Sequence, residues 1–202
     1  MSLFPPNSND NILPYDGIVN YFGPILSQEE ANHCYERILR ESAWVHDEAI
    51  LYGKHLTTKR KIAWYGDKQF DYHYSGTIKR ALPWKESLLS LKEIIEYKLG
   101  VSFNSCLLNL YHNGDEGMAW HSDDEKSLGV NTIIASVSLG AERKFSFRHK
   151  TSNETISVYL EHGSLLLMQG ATQTNWQHCL PKSKKVKEAR INLTFRRFVE
   201  LS

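Results

Sequence analysis

The spacing of apolar positions changes character near residue 105. Before that point two stretches carry apolar residues at helical spacing. One opens at Ser27-Gln-Glu-Glu30 and runs to about Glu41; the other opens at Pro83-Trp84 and carries Leu88, Leu91, Ile94, Ile95 and Leu99. Ser followed three residues later by Glu is a capping box, in which each side chain satisfies the other's backbone N–H, and Gly100 ends the second stretch. The pattern predicts two helices, the second backing a sheet. From Ser105 onward the runs are short, alternating or continuously apolar: Cys106 to Tyr111, Thr132 to Leu139, Lys144 to His149, Thr155 to Leu160, Ser164 to Met168 and Arg190 to Phe198. Short strands separated by polar turns predict a sandwich or double-sheet roll. Residues 1–14, with Pro5, Pro6 and Pro14 among Asn and Ser, read as a flexible lead-in, and 15–202 as a single domain. The fold class expected is α+β dominated by β.

Strand parity sharpens the last run. Successive side chains of an extended chain face opposite ways, so Arg190, Asn192, Thr194 and Arg196 share one face while Ile191, Leu193 and Phe195 share the other. If the polar face lines a pocket, two partly desolvated guanidiniums call for an anionic partner, and arginine matches a carboxylate with two parallel hydrogen bonds. A solvated edge strand would show the same alternation. Asn109 and Tyr111 likewise share a face opposite Leu108 and Leu110.

Composition narrows the chemistry. The chain has 202 residues, 41% hydrophobic and 23% charged, with a formal net charge of +1, so any polyanionic partner must be met by local basic clusters. Cys34, Cys106 and Cys179 show no CxxC spacing, which argues against a disulfide framework or a zinc ribbon. No apolar run approaches the roughly 18 residues of a membrane span, and the N-terminus lacks a signal-peptide pattern. The expectation is a protein that is not secreted, cytoplasmic in a bacterium or nuclear in a eukaryote, without a membrane partner and monomeric. Against this background His121-Ser-Asp123 and the distant His178, in a turn-like stretch before Pro181, stand out. Two imidazoles and one carboxylate are the ligand set of non-haem iron(II) oxygenases. The same three ligands would suit a zinc hydrolase, and a non-enzymatic binding module of this fold is a further reading.

Taken together, Asn109-Leu-Tyr111, His121-Ser-Asp123-Asp-Glu125, His178 and Arg190-Ile-Asn192-Leu-Thr194-Phe-Arg196 resemble the signature of the AlkB family of iron(II)- and 2-oxoglutarate-dependent dioxygenases. The resemblance runs from about Thr57 to Phe198. It extends to the members that repair alkylated bases, the double-strand-preferring subgroup in particular, through Ala63-Trp-Tyr65-Gly-Asp67, Tyr72-His-Tyr74-Ser-Gly76, Phe103-Asn-Ser105 and Phe147-Arg-His-Lys150. It implies a double-stranded β-helix, or jelly roll, at about 105–200, supporting N-terminal helices, and a nucleotide-recognition lid at about 45–80. It implies that His121, Asp123 and His178 bind Fe(II). Arg190, with Tyr111 and Asn192, would hold the distal carboxylate of 2-oxoglutarate, and Arg196, with Asn109 nearby, would serve the end that chelates the metal. The implied reaction uses O2, converts 2-oxoglutarate to succinate and CO2, hydroxylates an N-alkyl group on a base such as 1-methyladenine or 3-methylcytosine, and releases formaldehyde.

The implied partner is alkylated DNA, double- or single-stranded, or RNA; a protein or lipid substrate for the same fold is the alternative. A base in a duplex must be flipped out to reach the metal. Tyr74, with Tyr72 beside it and His121 opposite, resembles the stacking pocket, and Glu125 the residue that meets the base edge. Tyr52, in Leu51-Tyr-Gly53, sits where duplex-preferring members carry a wedge. Phosphate contacts are expected from Lys59-Arg60-Lys61 and from Lys184 and Lys185 in the run 182–187, which departs from the subgroup at Ser183.

Overall fold

The computed structural model describes residues 10–51, 54–69, 71–74 and 77–199; in the strands at 49–51, 54–56, 71–74 and 77–79 the backbone alone is described. Among the described residues, α1 (Gln28–Glu41), α2 (Glu86–Leu99), the single turn α3 (Thr172–Asn175) and a 3-10 turn at Lys126–Leu128 accompany the strands. These are β1 (Ile18–Pro24), β2 (Val45–Leu51), β3 (Lys54–Gly66), β4 (Asp71–Tyr74), β5 (Thr77–Arg80), β6 (Leu82–Pro83) and β7 (Ser105–Tyr111), followed by β8 (Met118–His121), β9 (Ile134–Gly140), β10 (Arg143–His149), β11 (Thr155–Leu160), β12 (Ser164–Gln169), β13 (Trp176–Leu180) and β14 (Arg190–Arg196). A major sheet runs β1-β12-β9-β14-β7-β3-β2 with β6 beside β3, and a minor sheet runs β11-β10-β13-β8. β4 and β5 form a separate ribbon.

α1 forms where its capping box places it, and α2 ends where its glycine predicts. Ser27 accepts from the Glu30 N–H while the Glu30 carboxylate accepts from the Ser27 N–H at 2.8 Å, and α1 turns Ala31 and Ile38 inward. α2 ends at Gly100 in the left-handed region, φ 67°, a conformation glycine adopts without a Cβ clash. Its start differs from the expected Pro83-Trp84, because Leu82 and Pro83 are drawn into parallel pairing with Tyr65 and Gly66 of β3.

Both faces of the major sheet are covered, which is why β9 and β12 read as nearly continuous apolar runs. Odd-numbered residues Ala135, Val137, Leu139, Leu165 and Leu167 join Leu108, Ile191, Leu193 and Phe195 in the layer that Leu88, Leu91 and Ile95 of α2 complete. Ile134, Leu166 and Met168 point the other way, toward Phe147 and Trp176 of the minor sheet. The functional cleft lies in this second layer, between the two sheets.

Three expectations change. Residues 176–180, expected as a turn, form β13, paired with both β10 and β8. β1 and β8 carry no pattern that marks them as strands; each forms because a partner far along the chain offers its edge. Residues 10–14, assigned to the flexible lead-in, pack: Leu13 is buried, and the Asn11 side chain accepts from the N–H of Val19 at 2.8 Å.

Candidate active site

β14 lies between β7 and β9, so its polar face meets theirs in register. Arg190 is opposite Tyr111, and Asn192 lies between Asn109 and Ser138. The apolar face, Ile191, Leu193 and Phe195, is fully buried against the helices. That burial leaves Arg190, Asn192, Thr194 and Arg196 facing the cleft, as parity requires and as a solvated edge strand would not. They line a cavity of about 130 Å³ together with Asn109, Tyr111, His121, Asp123 and His178.

The three metal-ligand candidates meet because β8 and β13 pair. His178 lies directly opposite His121, their rings 4.3 Å apart in an edge-on contact. Asp123 follows where β8 ends, and one ligand atom from each of the three falls within 4.8 Å of the others. His121 donates from Nδ1 to the Ala119 carbonyl at 2.8 Å, which leaves the Nε2 lone pair for a metal. Asp123 is tied at both ends: its N–H donates to the Gln173 side chain at 2.8 Å, and its Oδ2 accepts from Arg196 at 2.7 Å. Burial raises the Asp123 carboxyl, but Arg196 and the two imidazoles outweigh it and hold it below its ordinary value. Burial, with His121 alongside, pushes His178 down to about 3. All of this keeps metal-binding lone pairs unprotonated. Two imidazoles and one carboxylate, with His121 33% exposed on the open side, fit Fe(II).

Arg190 supplies the fit test for the co-substrate. Its guanidinium is buried, donates to Ser138 Oγ at 2.8 Å and Asn192 Oδ1 at 2.6 Å, and lies 5.7 Å from the Tyr111 ring centre. Among the described residues it has no carboxylate partner, and its Nε has no acceptor. Burial pushes it down to about 10. A buried cation with no carboxylate partner among the described residues, and with the Arg143 charge opposing it, is costly unless an anion completes it. A carboxylate of 2-oxoglutarate fits that requirement.

Other expected residues fall differently. Arg196, expected at the metal-chelating end of the co-substrate, lines the cavity and donates to the candidate ligand Asp123. Arg60, expected in a surface cluster reaching phosphate, is buried: alternation along β3 turns it into the cavity wall, bonded to Asp47 and to Met118 Sδ, while Lys59 is exposed. Glu125 lines the cavity. Lys184 and Lys185 are exposed outside it. Tyr52 lies outside the described residues, as do the side chains of Tyr72 and Tyr74, whose backbone forms β4. Sequence reasoning missed Asp47, which turns inward at an irregularity in the β2–β3 pairing, and Gln173, whose role depends wholly on a contact 50 residues away. Neither carries a local signal.

Comparison with known proteins agrees with this geometry. The 2OG-Fe(II) oxygenase superfamily matches residues 18–196. The alpha-ketoglutarate-dependent dioxygenase alkB homolog 3 of Homo sapiens is 38% identical over 95% of this chain and 67% of its own length; that of Bos taurus is 43% identical over 83% and 62%. The DNA oxidative demethylase ALKBH2 of Mus musculus is 40% identical over 91% of this chain and 82% of its own length. This chain therefore spans about two thirds of the length of the alkB homolog 3 relatives. The solved structure of OsALKBH1 shares the fold, with TM-score 0.62 at 15% identity over 92% of this chain and 99% of that one. With the ligand triad and the anion-seeking arginine in one cavity, these matches place the chain in the 2OG-Fe(II) oxygenase superfamily, in its AlkB branch.

Proposed function

We propose that this protein is an oxidative demethylase of N-alkylated nucleic-acid bases of the 1-methyladenine and 3-methylcytosine type. The observation that carries the oxygenase chemistry is the sharing of one cavity by His121, Asp123 and His178 with a buried, carboxylate-free Arg190. The names of the ALKBH2 relatives support the substrate class. Bound Fe(II), with 2-oxoglutarate and O2, supplies oxidation of the N-alkyl carbon, after which the hydroxymethyl product sheds formaldehyde.

The chain's own residues do the rest. His121, Asp123 and His178 hold the metal on one wall. Arg190, with Tyr111 and Asn192, receives the distal carboxylate, and Arg196 keeps Asp123 ionised and aimed. Asn109 lies beside the chelating end. Residues 45–80 serve as the lid, with Tyr74 and His121 flanking the flipped base, Tyr72 beside them and Glu125 at its edge. The Arg60–Asp47 pair forms a polar border of the same cavity, and Lys184 and Lys185 meet phosphate.

The test is formaldehyde release from a methylated oligonucleotide, dependent on both Fe(II) and 2-oxoglutarate, with DNA and RNA strands in parallel. Succinate formation that no methylated nucleic acid stimulates would sink the proposal. Tyr52→Ala is expected to impair duplex substrates more than single strands; equal loss on both would remove the wedge.

A further inference from the structure

The run Lys182-Ser-Lys184-Lys185-Val-Lys187 reads as a solvated loop, yet its backbone is stitched to the segment that follows β7. Gly114 donates its N–H to the Val186 carbonyl at 3.0 Å, and its own carbonyl accepts from the Ser183 N–H at 2.7 Å. The two backbones approach so closely that a Cβ at Gly114 would overlap the Ser183 carbonyl oxygen, and one at Gly117 would overlap that of Leu180. Arg143 closes the junction from beneath. Its buried guanidinium donates to the carbonyls of Asn113 at 3.3 Å, Glu116 at 2.9 Å and Pro181 at 2.9 Å.

The receiving segment is braced in turn. Asn113 Oδ1 accepts from the Asp115 N–H at 2.9 Å, an Asx turn, and the Glu116 carboxylate accepts from the His112 N–H at 3.0 Å. The result divides the lysine run by direction. Ser183 and Val186 face the junction, half-buried, whereas Lys182, Lys184, Lys185 and Lys187 are exposed and, among the described residues, have no ion-pair partner.

We infer that 182–187 is a pre-ordered cationic loop, locked in the free protein by Gly114 and Arg143, and that Gly114 is a positioning residue for nucleic-acid phosphates. The inference rests on the proposed function for its ligand. Ordering before binding removes the entropic loss that a loop folding onto phosphate would incur, and it explains Ser183, a small side chain at a point where the loop's backbone, rather than a further cation, must approach its support.

Hydrogen exchange on the unmodified chain tests the lock without nucleic acid. The N–H groups of Gly114, Ser183 and Val186 are expected to be protected in the free protein; exchange at loop-like rates, with protection gained only on adding a single-stranded DNA octamer, would overturn it. Gly114→Ala is the second arm. It is expected to speed tryptic cleavage after Lys182, Lys184 and Lys185, to weaken the octamer about five- to tenfold by fluorescence anisotropy, and to flatten the salt dependence of its affinity. Unchanged octamer affinity in Gly114→Ala overturns the positioning role. Octamer binding by the wild-type chain with unprotected amides removes this inference alone, while no binding at any salt removes the proposed function with it.

Discussion

Asp123 and Arg190 are both buried charges, and they are stabilised in opposite ways. Asp123 has its counter-charge built in, 2.7 Å away on Arg196, so its carboxylate is ionised and oriented before any metal arrives. Among the described residues Arg190 has Ser138, Asn192 and the Tyr111 ring but no carboxylate, so its counter-charge is expected from a bound anion. Removing one side of a buried, hydrogen-bonded charge pair typically costs about 2–5 kcal/mol, or roughly 30-fold and more in affinity. Arg190→Met is therefore expected to raise the KM for 2-oxoglutarate by at least about 30-fold, with Mn(II) binding by the triad retained. A KM within a factor of about three of wild type would refute the clamp. The residue types at these positions were legible in the chain, but the pairing of Arg196 with Asp123 was not, since it joins positions 73 apart.

At the scale of elements, β14 shows how one strand serves fold and site at once. Leu193 is fully buried between Leu108 and Val137 partners, while its neighbours Asn192 and Thr194 face the cavity. Leu193→Ala is expected to lower unfolding free energy by about 2–5 kcal/mol, read from chemical denaturation. Ser27→Ala removes only an exposed cap from α1 and should cost about 1 kcal/mol. Similar losses for both would contradict the burial contrast. Element periodicity was readable because neighbours in sequence impose it. β1, β8 and β13 were less readable, because each becomes a strand only through partners elsewhere, as in the His178 to His121 register.

For the whole molecule, the burial of His178 and Asp123 makes stability of the metal-free protein acid-sensitive. His178 titrates near 6.5 when unfolded and is pushed down to about 3 by burial when folded. The unfolded chain therefore takes up a proton that the native state refuses. Its stabilising contribution is complete above about pH 6.5 and declines as pH falls toward 3, by about 1.4 kcal/mol per unit. Asp123, also lowered, adds a further loss below its unfolded value of 3.8. Calorimetric melting of metal-free protein should show Tm falling from pH 6.5 to 4, and His178→Gln should flatten that slope; a flat wild-type profile would refute the burial argument. Among the described residues no helix is long and apolar enough to cross a membrane.

The chain alone carried what short-range physics encodes: the capping box at Ser27, the helical face of α2 and the two-faced alternation of β14; it also offered the candidate ligand set His121, Asp123 and His178. Tertiary structure decided which of these meet. It turned Arg60 inward against Asp47, gave Asp123 its hold on Arg196 and Gln173, and seated the lysine-rich loop on Gly114. The reason is physical. Periodicity and capping arise between residues a few positions apart, whereas these contacts join distant segments and exist only once both sheets have packed around the cleft.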